Sequence, residues 1–179
     1  LSDTKGVCYD ETSGYDCLTI PELEYALETA GVHIDIIGFD ACLMQMVEIA
    51  YQISNWTDYV VGSEETEYGE GWPYNLILGN ASDQIEADGV LEPDDFATIM
   101  VDQYMVYYHP RDPYATLSAI DSSQLETLKD AVDNFGLTLD TALATYLTEI
   151  KTARNQAEQF YEPCYIDLYH FAYLIDTYI

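Results

Sequence analysis

The 179-residue sequence predicts an α/β fold with a mostly parallel sheet flanked by helices. Short apolar, β-branched runs occur at 32–39, 58–62 and 114–120. Segments with helical spacing separate them, and strands alternating with helices pack as a largely parallel sheet covered on both faces. Apolar residues make up 49% of the chain, enough for a core of ordinary size and too many for a disordered acidic chain. Three strands make a narrow sheet, and the chain opens on Leu1 rather than Met. Both features read as one domain fragment, residues 1–179, of a longer product.

The elements follow in order. Residues 1–18 are polar, aromatic and turn-rich, and read as a loop. Thr19-Ile20-Pro21-Glu22 is a helix start: Thr19 can cap, proline fits the first turn, and Glu22 stands three residues on, as in a capping box. Gly31 stops that helix. The run 32–39 has the length of a buried strand, ending in Asp40-Ala41-Cys42. Leu43, Met44, Met46, Val47, Ile49, Ala50 and Ile53 then continue on helical spacing, which puts Cys42 near a helix N-terminus. Residues 58–62 are the second strand and 63–73 an acidic loop with two glycines and a proline. Helix returns at 74–79, and a firmer one runs from Pro93 to Tyr108, with Asp94 and Asp95 in its first turn. A His-Pro-Arg loop leads to the third strand. Helix covers 122–160 with a break near Gly136, and a last helix covers 167–177.

Charge excludes whole classes of function. There are 33 Asp and Glu against 5 Lys and Arg, a net charge of −28. Five scattered cations make no phosphate-binding footprint, so nucleic acid is excluded as a partner, and an anionic membrane surface would repel the chain. No apolar run is long enough to span a bilayer. The acidity points to a secreted or cell-surface protein, a halophile protein, or one that attracts cations. Two sequons, at Asn55 and Asn80, agree with export. Four cysteines allow three full pairings; Cys8 and Cys17 flank a Gly- and Asp-rich turn that suits a local disulfide.

Chemistry concentrates at Cys42. The carboxyl end of a strand in an α/β sheet is where loops and helix N-termini converge on ligands. A thiol there has a reason to ionise, and nearby peptide N–H groups can hold an oxyanion. The competing reading is a buried core cysteine, a common fate for this residue. A thiolate nucleophile needs a base, normally histidine. His33 starts the strand that delivers Cys42 and so lies at the opposite sheet edge; His109 belongs to the amino-edge side by the expected topology; His170 lies inside the last helix. None is well placed, so a base would come from outside this chain. Asp40 points the same way as Cys42 in extended chain, and the next loop adds Glu64, Glu65, Glu67 and Glu70. Carboxylates beside a nucleophile suit a substrate with a cationic side chain.

These residues resemble the clostripain family of cysteine peptidases. The likeness rests on Gly38-Phe39-Asp40-Ala41-Cys42-Leu43-Met44, Glu48-Ile49-Ala50-Tyr51, Gly62-Ser63-Glu64-Glu65-Thr66-Glu67 and Gly69-Glu70-Gly71-Trp72. It extends to Asp10-Glu11-Thr12-Ser13-Gly14, Leu18-Thr19-Ile20-Pro21-Glu22-Leu23, Leu117-Ser118-Ala119-Ile120-Asp121 and Tyr165-Ile166-Asp167-Leu168-Tyr169, and so covers most of the chain.

The resemblance implies a caspase-like fold and a Cys–His dyad that cleaves peptides after Arg or Lys. It places the nucleophile at Cys42 and the acid of the basic-side-chain pocket at Asp40. Glu70 is a second pocket candidate, where family members often carry Asp. The family histidine would precede Leu1, with the first strands, on a light chain released by self-processing or on a removed segment. Secretion, zymogen activation and calcium as a possible ligand are further implications, although no EF-hand spacing is present and the metal residues stay unknown. The alternative is a non-catalytic acidic, calcium-dependent binding or surface module built on the same fold.

Overall fold

The computed structural model describes residues 6–179. They form two compact units, one reaching to Leu125 and one from Glu126 to Ile179.

The first unit opens with a hairpin, not the expected loop. Strands β1 (Gly6–Asp10) and β2 (Asp16–Thr19) pair antiparallel, Val7 opposite Leu18, with a register shift between Val7 and Asp10. Asp10 builds the turn: its Oδ1 accepts from Thr12 N–H at 2.8 Å and from the Thr12 hydroxyl at 2.7 Å, and its Oδ2 accepts from Ser13 at 2.7 Å. These donors draw the Asp10 carboxyl down to about 2. Cys8 and Cys17 are free thiols, as are Cys42 and Cys164.

Helix α1 (Ile20–Ala30) carries the expected capping box, with Thr19 N–H donating to Glu22 Oε2 at 2.9 Å, and Gly31 closes it at φ 62°. A three-stranded sheet follows, in the order β3 (Ile34–Gly38), β4 (Thr57–Gly62), β5 (Ser118–Asp121). β3 and β4 are parallel, as expected, whereas β5 runs antiparallel to β4. β3 is an edge strand in this sheet and is half-exposed instead of buried, with Ile34 at 37% exposure. β4 is central. Val60 and Val61 are both fully buried because successive side chains enter opposite cores. Val60 packs with Ile20, Phe39, Ile49 and Ile53; Val61 packs with Trp72, Met100, Tyr104 and Tyr108.

Helix α2 (Val47–Ile53) is a short seven-residue piece. Helix α3 runs from Tyr74 to Asp88, well beyond the expected 74–79, and α4 (Pro93–Tyr108) matches its expected ends. The antiparallel course of β5 corrects the placement of His109. Ser118 pairs with Gly62, so the loop from α4 into β5 lies at the carboxyl edge of the parallel pair, not at the amino edge.

In the second unit, α5 (Leu125–Gln156, its first residue still in the first unit) and α6 (Leu168–Tyr178) pack through Ala153, Ala157, Leu174 and Ile175. The expected break near Gly136 does not occur; the helix kinks at Tyr146 instead. Glycine weakens a helix interior by only about 1 kcal/mol relative to alanine, and its neighbours Phe135 and Leu139 are anchored on the unit's core. His170 accepts from Glu158 N–H through Nδ1 at 3.1 Å, and Asp167 caps α6.

Candidate functional site

The site forms where two segments leave the carboxyl edge of β3 and β4 side by side. Phe39 N–H donates to Val61 O at 2.8 Å, Gln45 N–H to Ser63 O at 3.1 Å and Leu43 N–H to Glu65 O at 3.0 Å. Residues 40–46 therefore commit their backbone to the neighbouring loop, not to a helix. This corrects the expected position of Cys42: α2 begins only at Val47, so no helix N-terminus lies against the thiol. Leu43 turns the chain at φ 60°, a left-handed conformation rare for a branched residue. Buried Gln45 pins the turn from below, its amide donating to Val60 O at 3.1 Å and Ser118 O at 2.9 Å.

Cys42 is exposed, and its partner is the backbone of Glu67. Sγ accepts from Glu67 N–H at 3.2 Å, and the thiol faces Glu67 O at 3.9 Å.

Asp40 and Glu67 form a carboxyl pair. Asp40 Oδ2 accepts from Trp72 N–H at 3.1 Å and from the Tyr74 hydroxyl at 2.9 Å. Glu67 Oε2 accepts from the Trp72 indole N–H at 2.8 Å, and its Oε1 is buried. Burial pushes the Glu67 carboxyl up to about 8; the Trp72 bond opposes this, and Asp40 reinforces it by its charge and by accepting the Glu67 proton. The hydroxyl of Tyr104, on a residue only 1% exposed, is buried without a partner. Burial and then the Glu67 charge push that phenol far above its ordinary value, with Asp40 adding to the shift. Tyr74 is pushed up to about 12 by burial and by Asp40. Gly71 makes room for the acid: it sits at φ 72°, and a Cβ there would come 2.8 Å from Asp40 Oδ2.

Glu70 stands exposed on the other side of that turn; Tyr68 is raised first by its bond to Asp112, Tyr108 by burial and Arg111 by Tyr107, and the Glu70 charge adds to each. An aromatic wall backs it: Tyr68 stacks on Tyr108 with centroids 4.6 Å apart, and the Tyr108 hydroxyl donates to Gly71 O at 2.6 Å. Thus the structure brings Cys42, Asp40 and Glu67 together and leaves Glu70 outside the carboxyl pair. Sequence reasoning had Glu67 only as one of four loop glutamates. Tyr104 carried no signal of its own within the helix from Pro93 to Tyr108. His33 bonds Asp58 at 2.9 Å, at the start of β4 and so at the opposite edge. Among the described residues no group of three or more His, Cys, Asp or Glu is arranged to hold a metal ion.

The Glu67 proton has a consequence for stability. The folded chain keeps it up to about pH 8, whereas an unfolded chain releases it near 4.5. Between those values the folded state binds the extra proton, so this contribution falls as pH rises through the window. The melting temperature of the wild type minus that of Glu67→Gln is therefore expected to decline steadily from about pH 5 to about pH 8.5. A flat difference would exclude the buried proton.

Fold and site define an α/β protein that presents a thiol and an acidic pair on adjoining loops at the carboxyl edge of its sheet. Residues 2–176 match the model of the clostripain family. Clostripain from Hathewaya histolytica is 28% identical over 162 residues, which are 75% of this chain and 31% of that protein. A clostripain from Bacteroides thetaiotaomicron, solved with the peptide inhibitor BTN-VLTK-AOMK, superposes with a TM-score of 0.54 at 22% identity, covering 86% of this chain and 56% of that one. A secreted C11 cysteine protease from the same organism, bound to an irreversible peptide inhibitor, gives 0.52 at 31% identity, covering 65% of this chain and 33% of that one. The chain belongs to the clostripain family. It spans about a third of the length of the curated relative it matches.

Proposed function

We propose that this chain is the nucleophile-bearing part of a cysteine endopeptidase that cleaves after lysine or arginine. The observation that carries this reading is the shared anchoring of Cys42 and the acidic pair. The backbone of Glu67 holds the thiol while its side chain lies beside Asp40. A cation bound at the carboxyls would thus set the neighbouring carbonyl over Sγ.

The steps follow from that placement. A histidine supplied from outside this chain takes the Cys42 proton. The sulfur attacks the carbonyl carbon following the basic residue, and peptide N–H groups, that of Cys42 among them, hold the oxyanion. The C–N bond breaks as the imidazolium protonates the leaving amine. Water then attacks the thioester and frees the acid. With no helix N-terminus at Cys42, the Glu67 N–H at 3.2 Å is what positions the sulfur for its attack. The net charge of −28 would steer basic substrates inward. Extracellular location is proposed from the secreted relative; no helix of the described residues is long and apolar enough to cross a membrane.

The test uses the full-length protein and fluorogenic peptides that differ only in a final Lys, Arg or norleucine. Turnover of the Lys and Arg peptides, lost on thiol alkylation, is expected. No turnover of any peptide would overturn the reading in favour of a non-catalytic module.

A further inference from the structure

We infer that Tyr108 is a positioning residue for Asp40, acting through the single peptide group between Gly71 and Trp72. This rests on the peptidase reading above and adds to it a residue of α4 that touches no substrate.

One peptide plane carries the connection. Its carbonyl, Gly71 O, accepts from the Tyr108 hydroxyl at 2.6 Å. Its N–H, that of Trp72, donates to Asp40 Oδ2 at 3.1 Å. Donation to a carbonyl polarises the amide and strengthens the N–H at its other end, so the two bonds reinforce each other. Residues 71–73 belong to no helix or strand, so side chains and not a backbone ladder orient this plane. Gly71 holds φ 72° and lies so close to Asp40 that a Cβ would come 2.8 Å from Oδ2. A rotation of the peptide therefore moves both the N–H that Asp40 accepts and the backbone against which its carboxyl rests.

The hydroxyl at the start of this chain has a fixed direction. Tyr108 is 1% exposed, and three rings surround its own. Tyr68 stacks on it at 4.6 Å between centroids, Tyr104 lies tilted at 4.7 Å and Tyr107 edge-on at 4.8 Å. Packing that locks a supporting side chain holds the group it supports to productive geometry. Tyr108 thus ties the end of α4 to an acid two residues before Cys42.

The test reads this peptide by itself. Gly71-Trp72 is the one Gly-Trp pair in the 179 residues. Full-length protein labelled with 13C-carbonyl glycine and 15N-tryptophan gives an NMR cross peak for that bond, assigned by its loss in Trp72→Phe. Tyr108→Phe keeps the ring stack and removes only the hydroxyl. Both the carbonyl carbon and the amide proton of the peak should then move upfield. The same variant should raise KM for Lys and Arg peptides about fivefold, the scale of one net hydrogen bond. With kcat changed less, the Lys-to-norleucine ratio of kcat/KM should fall. Tyr68→Phe is the control. It removes a bond of the same stack, to Asp112 Oδ2 at 2.7 Å, and should leave peak and ratio at wild-type values. A folded Tyr108→Phe with the peak unmoved, or with Lys and norleucine peptides declining together, overturns the inference and leaves the peptidase reading standing. If Tyr108→Phe does not fold, the wild type decides: a Gly71 carbonyl carbon at the shift of a hydrogen-bonded carbonyl supports the inference, and one at the unbonded shift overturns it. A wild type that cleaves no peptide overturns both.

Discussion

Cys42→Ala is expected to abolish cleavage by the full-length protein, lowering kcat/KM by about ten-thousandfold or more, because the proposed nucleophile is removed. Folding should survive the change. Cys42 is exposed, so alanine leaves no cavity, and the lost sulfur contacts run to the backbone N–H and C=O of Glu67. The melting temperature should stay within about 2 °C of wild type, since surface substitutions usually cost under ~0.5 kcal/mol. Cys8, Cys17 and Cys164 are also free thiols, so alkylation alone cannot assign the nucleophile. Serine replacements at those three positions should keep full activity, and titration of the remaining thiol should track its loss. Wild-type turnover in Cys42→Ala would move the nucleophile elsewhere.

Removal of the Asp40 charge is expected to be nearly as severe, but only for basic substrates. An interfacial charge pair broken on one side costs about 2–5 kcal/mol, so kcat/KM for Lys and Arg peptides should fall by about a thousandfold. Asp40→Asn is the informative variant. It keeps an oxygen for Trp72 N–H and Tyr74, whereas Asp40→Ala would leave both donors without their acceptor. Norleucine peptides should be turned over as before, and iodoacetamide should alkylate Cys42 at the wild-type rate. Unchanged Arg and Lys cleavage in a folded Asp40→Asn would remove Asp40 from the pocket; a lost alkylation rate would make its role positional.

Local signals carried much of the fold. Thr19 and Glu22 cap α1 as their spacing demands, Pro93 opens α4, and the β-branched run 58–62 lies in the strand whose Val60 and Val61 feed both cores. What escaped depends on partners distant in sequence. The hairpin of β1 and β2 has no clean alternation and depends on side-chain bonds from Asp10. Apolar spacing from Leu43 onward suits a helix, but tertiary bonds from Leu43 and Gln45 to Glu65 and Ser63 hold the chain in a turn. At the site, Asp40 and Cys42 stood out because two residues in an extended stretch share a direction. Glu67 could not be separated from Glu64, Glu65 and Glu70 until the Gly71 turn folded Trp72 back over it. Tyr104 is 37 residues further along, on the face of α4 that packs the Trp72 core, and its spacing does not set it apart from the other apolar residues of that helix.

The double grip of Trp72, by its peptide N–H on Asp40 and by its indole N–H on Glu67, also has an optical side. The chain has two tryptophans, and the other, Trp56, sits just before β4 at the opposite end of the sheet. An indole's emission responds to charge placed along its ring, so loss of the Glu67 proton or arrival of an ammonium should change the light from Trp72 and leave that of Trp56 alone. The protein thus carries its own reporter of pocket occupancy, readable without turnover and in a Cys42→Ala background where no substrate is consumed.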